Sequence, residues 1–114
     1  MRNTYQMPKP NVRGPTTSRE LAAARFLFAG KVRAARAVLG WSQTELANKS
    51  CVTQRAIYEI EKAVVDARPA TMAAIHTAFA KTGIGFDDVV EGGFRLTVPI
   101  RTLRMVSSPR RKLK

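Results

Sequence analysis

This 114-residue chain has one cysteine, one histidine and one tryptophan, and only eight acids against twenty bases. A lone Cys51 excludes an internal disulfide and points to a reducing compartment. His76, with no cysteine or second histidine at ligand spacing, gives no basis for a zinc site, so no metal and no cofactor are expected. Asp87, Asp88 and Glu91 lack the pattern of a calcium loop and suit a solvated turn. Paired catalytic carboxylates, a Ser/His/Asp constellation and a glycine-rich phosphate loop are all missing, so no catalytic residue is expected and the chain reads as a non-enzyme. Long apolar runs are missing as well. The runs 21–24 and 26–29 are parted by Arg25 and fall far short of the ~20 residues of a membrane span. The opening 17 residues are polar and proline-bearing, unlike a secretory leader, so the expected location is cytoplasmic.

What is present is positive charge, +12 in all, and it is uneven. Residues 101–114 hold Arg101, Arg104, Arg110, Arg111, Lys112 and Lys114 with no acid, and residues 1–20 hold four bases against Glu20. Residues 21–100 are close to an average domain, with ten bases and seven acids. The reading is a flexible basic arm over 1–17, a helical domain over 18–86, an extension over 87–106 and a flexible basic tail over 107–114. Polyanions, double-stranded DNA first, are the expected partners.

Thr17 and Glu20 form the pattern of a capping box ahead of the apolar run that holds Phe26, Leu27 and Phe28, so a helix starts near Ser18. Gly30 is a candidate break. Val32, Ala35, Val38 and Leu39 then recur at helical spacing up to Gly40. Ser42 with Glu45 predicts a helix over 42–49, and Thr53 predicts another to Lys62 with Ala56, Ile57 and Ile60 inward. On that second helix Arg55, Tyr58, Glu59 and Lys62 form the outward stripe. Thr71 is placed to cap a helix through Lys81 with Met72, Ile75 and Phe79 inward. The fold expected is mainly α, four or five helices followed by a short C-terminal β strand or hairpin.

Two short helices joined by a three-residue turn are a helix-turn-helix, here at about 42–62. The run Val38-Leu39-Gly40-Trp41-Ser42-Gln43, then Glu45-Leu46-Ala47, then Ile60-Glu61-Lys62, resembles the Cro/cI-like helix-turn-helix family of phage repressors and xenobiotic-response-element regulators. The resemblance implies a lambda-repressor-like domain in a bacterial or phage-encoded transcriptional regulator. It implies that Gln54, Arg55, Tyr58 and Glu59 face base edges and that Ser42, Gln43, Thr53 and Lys62 sit at phosphates. It also implies a structural pair, Arg36 with Glu61. Those base-facing residues suit the groove, because arginine bonds guanine, glutamine pairs with adenine and glutamate accepts from cytosine. Trp41 reads as a helix-joining residue.

Two departures from the family stand out. The turn position that usually holds glycine is Cys51, which either takes a left-handed backbone at a steric cost or changes the turn. After Phe86 the phage repressors continue with a fifth helix, whereas here Phe94, Leu96, Val98 and Ile100 alternate as in a strand, with Val89 and Val90 as its hairpin partner across Gly92-Gly93. Such a strand would pair with that of a second subunit, giving a homodimer through Phe94, Leu96, Val98 and Ile100. The alternative function is a DNA-binding antitoxin or antiactivator, with the 18–29 helix or another terminal segment on a protein partner. A third is a nucleoid-type or RNA-binding protein acting through its basic ends. Attachment to a membrane is not expected.

Overall fold

A computed structural model of the chain describes residues 17–107. The arm and tail expected at the two ends lie, apart from Thr17 and Ser107, outside the described residues. The first helix, α1 (Ser18–Leu39), is one continuous helix of 22 residues, so Gly30 does not break it. Its start is fixed by reciprocal bonds: Glu20 N–H donates to Thr17 Oγ1 at 3.0 Å and Thr17 N–H donates to Glu20 Oε1 at 3.1 Å. Glycine serves a different purpose at position 30. A Cβ there would stand 3.2 Å from Cε1 of Phe94, so its absence lets that ring lie directly on the helix.

The second helix, α2 (Gln43–Ser50), opens with Ser42 and Glu45 capping each other at 3.0 and 2.7 Å. The third, α3 (Gln54–Glu61), opens with Thr53 Oγ1 accepting from the Ala56 N–H at 3.1 Å. The fourth, α4 (Pro69–Ala80), starts two residues before the Thr71 cap expected from sequence. Proline tolerates the first turn of a helix because its missing N–H would have no partner there. The inward face is set by Ile75, Ala78 and Phe79, and Met72, expected to point inward, lies a turn earlier on the rim at 36% exposure. The core is drawn from all four helices: Val32, Ala35 and Leu39, then Leu46, then Ile57 and Ile60, then Ile75 and Phe79, closed by Ile84.

Beyond the core, β1 (Gly85–Asp88) pairs antiparallel with β2 (Phe94–Thr97), Gly85 opposite Thr97 and Asp88 opposite Phe94. The strand expected through Ile100 stops at Thr97, and Ile100 opens a fifth helix, α5 (Ile100–Ser107). Pro99 makes the change: its carbonyl accepts from the N–H groups of Thr102 and Leu103 at 3.0 and 3.1 Å, which starts a helical turn. Thr102 is then buried, and its hydroxyl donates to the Thr82 carbonyl. The extension over 87–106 is therefore a hairpin, begun at Gly85, followed by a helix. Phe94, Leu96 and Val98 are half-buried, Phe94 over Gly30 and the other two against the chain's own core.

His76 joins the hairpin to the helices. Its ring stacks on Phe28 at 5.6 Å and tilts against Phe86 at 5.8 Å, beside the Lys31–Asp88 ion pair of 2.8 Å. Burial first, and then the charge of Lys31, push its pKa below the ordinary value, while Asp88 opposes them. The folded state thus favours neutral His76, whereas the unfolded chain takes up a proton near pH 6.5. Stability is fully present above that value and falls as pH drops through it, because the unfolded state binds the extra proton. Melting temperatures at pH 7.5 and 5.5 should therefore fall less for His76→Phe than for the wild type; equal falls would show that His76 is not linked to folding.

Candidate nucleic-acid interface

The turn between α2 and α3 is made by a left-handed residue that is not glycine. Cys51 takes φ 59° and ψ 33°, a left-handed cap, and its N–H and that of Val52 both reach the Ala47 carbonyl. The departure costs conformational energy rather than shape. Replacing Cys51 by glycine is expected to stabilise the fold by about 0.5–1 kcal/mol, the αL strain relieved less the added freedom of the unfolded chain. The urea midpoint reads this directly, and a variant less stable than the wild type would show that Cys51 is unstrained.

The outward stripe of α3 is as the sequence arranged it. Gln54, Arg55, Tyr58 and Lys62 are exposed and Glu59 is half-exposed. Arg55 Nε donates to Glu59 Oε2 at 3.0 Å, and Lys62 Nζ stands 5.3 Å above the Tyr58 ring. Ser42 and Thr53 are exposed at the first turns of α2 and α3. Each hydroxyl accepts a capping bond through its oxygen, which leaves its hydrogen free to donate.

Behind the stripe lies a polar network that braces α3 against α1 and α2. Glu61, 6% exposed, receives Arg36 Nε at 2.6 Å and Arg36 Nη2 at 2.8 Å. Arg36 Nη1 bonds the Trp41 carbonyl at 2.8 Å, tying in the α1–α2 link. The side-chain bond to Glu61 raises the Arg36 pKa; burial opposes it, and the charge of Glu61 adds a smaller rise. The family resemblance implied the Arg36–Glu61 pairing, but two members of the network were missed. Arg33 Nη1 donates to the Glu61 carbonyl at 2.7 Å, at the end of α3 where carbonyls lack helical partners. Gln43, expected to hold a phosphate with its amide, has its Nε2 on Glu61 Oε1 at 3.0 Å, and its Oε1 accepts from Gln54 Nε2 at 3.4 Å. Arg33 carried a legible signal, since it precedes Arg36 by three residues on one helix. Gln43 carried none, because its partner is 18 residues away.

Trp41 joins helices, as expected: it stacks on Phe79 at 5.8 Å, and Lys49 Nζ stands 4.9 Å from the centre of its ring. Among the described residues no cluster of three metal-ligating side chains occurs. A family model described as helix-turn-helix matches residues 32–84. That segment is a Cro/cI-like helix-turn-helix domain. The family of that segment is one of DNA-binding regulatory domains and not of enzymes. Comparison with curated proteins and with solved structures gives no match. The helix-turn-helix segment leaves out the first 14 residues of α1, the hairpin and α5. No described helix is long and apolar enough to cross a membrane.

Proposed function

We propose that the protein is a sequence-specific transcriptional regulator that binds operator DNA as a homodimer, with α3 in the major groove. One observation carries the reading: α3 is held from behind by the Arg36–Glu61 network while its outer face presents Gln54, Arg55, Tyr58 and Glu59 to solvent. A reader of base edges needs such donors and acceptors on a rigid helix. Ser42, Thr53 and Lys62 flank that face at positions suited to phosphate oxygens, and the N-terminus of α2 offers unpaired N–H groups beside them. Gln43 takes part by holding Gln54, and its backbone N–H and the second hydrogen of its amide are the donors left for a phosphate.

The dimer contact we assign to α5. Ile100 at 64% and Leu103 at 38% exposure lie one turn apart on its outer side, whereas Phe94, Leu96 and Val98 pack within their own chain. Selection of duplexes from a random pool at about 0.15 M salt tests both parts. Two copies of one motif about one turn of DNA apart are expected, bound roughly a thousandfold or more over scrambled DNA. Arg55→Ala should then weaken the selected duplex by about 1–3 kcal/mol and relax one base pair. An unchanged ratio of selected to scrambled binding would remove Arg55 from base readout.

A second reading has its own support. Phe26 is 68% exposed on the part of α1 outside the matched segment, a surface suited to the protein partner of an antitoxin or antiactivator. A stoichiometric partner that dissociates on Phe26→Ser would favour it.

A further inference from the structure

Arg55 and Glu59 form an ion pair whose two members differ in freedom. The Arg55 side chain is 81% exposed and that of Glu59 33%, so the arginine lies over a carboxylate already seated against the domain. The bond between them uses the Nε hydrogen and one carboxylate oxygen, Oε2. It leaves the terminal nitrogens of Arg55 for a two-point contact and Oε1 of Glu59 as an acceptor. On the same outward stripe the other charge is cationic, Lys62, so Glu59 is its one acid.

Resting on the reading that α3 enters the major groove, we propose that Arg55 and Glu59 act on DNA as a single unit and that Glu59 is a specificity filter. The ligand of this unit is a guanine, met through O6 and N7, next to a base that presents an amino group, either cytosine N4 or adenine N6. The bond at 3.0 Å brings the two heads about as close as neighbouring base pairs, which lie ~3.4 Å apart. On such a step Oε1 accepts the amino hydrogen and Arg55 spans the guanine. On other steps the carboxylate meets guanine O6, thymine O4 or a phosphate, loses water and finds no donor. Glu59 therefore lowers affinity for the wrong sequences more than it raises affinity for the right one. An ordinary base contact would give the opposite sign on scrambled DNA.

The test uses the full chain and four forms: wild type, Glu59→Gln, Arg55→Ala and the double variant, each checked by circular dichroism melting. Anisotropy titrations at about 0.15 M salt compare the duplex selected by the wild type with a scrambled duplex. Glu59→Gln is expected to bind scrambled DNA several-fold tighter than the wild type, while its ratio of selected to scrambled binding falls by about tenfold or more. In the Arg55→Ala background the same change should alter that ratio much less, since the unit is already broken. A Glu59→Gln protein with an unchanged ratio, or one that loses affinity for both duplexes alike, would overturn the filter while leaving the regulator reading intact. A wild type with no preference for any duplex would overturn both.

Discussion

Replacing Glu61 by alanine is expected to lower the stability of the fold by about 3 kcal/mol, read as a shift of the urea midpoint at constant slope. Removing one member of a buried pair leaves the other charge without a partner, and that is where most of the loss arises. Arg36 retains the Trp41 carbonyl and its side chain is 20% exposed, which places the value at the lower end of the range for buried pairs. Arg36 is held above its ordinary pKa, so its share of stability is present below that value and is lost only in strong alkali. The deficit of the variant should accordingly be the same at pH 7 and pH 9. A double replacement, Arg36→Met with Glu61→Leu, should recover much of the loss, because no unpaired charge remains. Recovery of stability without recovery of selective DNA binding would separate the two duties of the network. The Gln43 amide would then have lost its anchor on Glu61 and Gln54 its fixed neighbour. A Glu61→Ala protein as stable as the wild type would mean that the pair fixes geometry alone.

Phe79→Ala is expected to cost about 3–5 kcal/mol, enough to leave much of the protein unfolded if its total is near the low end of the usual 5–15 kcal/mol. Phe79 is 1% exposed and stacks on Trp41 at 5.8 Å and edge-on to Phe86 at 6.1 Å. It thus supports both the link into α2 and the first strand of the hairpin, and neither neighbour can collapse into the space without giving up its other contacts. Phe79→Leu keeps most of the volume and should cost under about 1.5 kcal/mol. Comparable losses for the two variants, measured by the same urea titration, would show that ring stacking rather than filled volume is what the site supplies.

Features held by local bonds can be read without a structure. The caps at Thr17, Ser42 and Thr53 were legible because each joins groups three residues apart, and local bonds leave local patterns. The same holds for the inward and outward faces of α3, which follow from the helical period. Gly30, a candidate break by sequence, does not interrupt α1. Intrinsic propensity disfavours glycine in a helix by about 1 kcal/mol, but the ring of Phe94, 64 residues later, gives the position a purpose that no window around it contains. The strand through Ile100 failed for a related reason. Alternation at 94, 96, 98 and 100 fits two residues per repeat, yet Pro99 turns the chain and Thr102 finds Thr82, so the last apolar residue belongs to a helix.

The sequence by itself determined the mainly α fold, the helix-turn-helix at Gln43–Glu61 and its outward residues, because capping and periodicity act over a few residues; the Arg36–Glu61 pair, 25 residues apart, was implied by the family resemblance alone. Only the tertiary structure decided that α1 runs unbroken, that the hairpin starts at Gly85 and gives way to α5, and that Gln43 braces Gln54. Those outcomes depend on contacts between segments far apart in the chain, where shape, burial and the last unsatisfied hydrogen bond outweigh local preference.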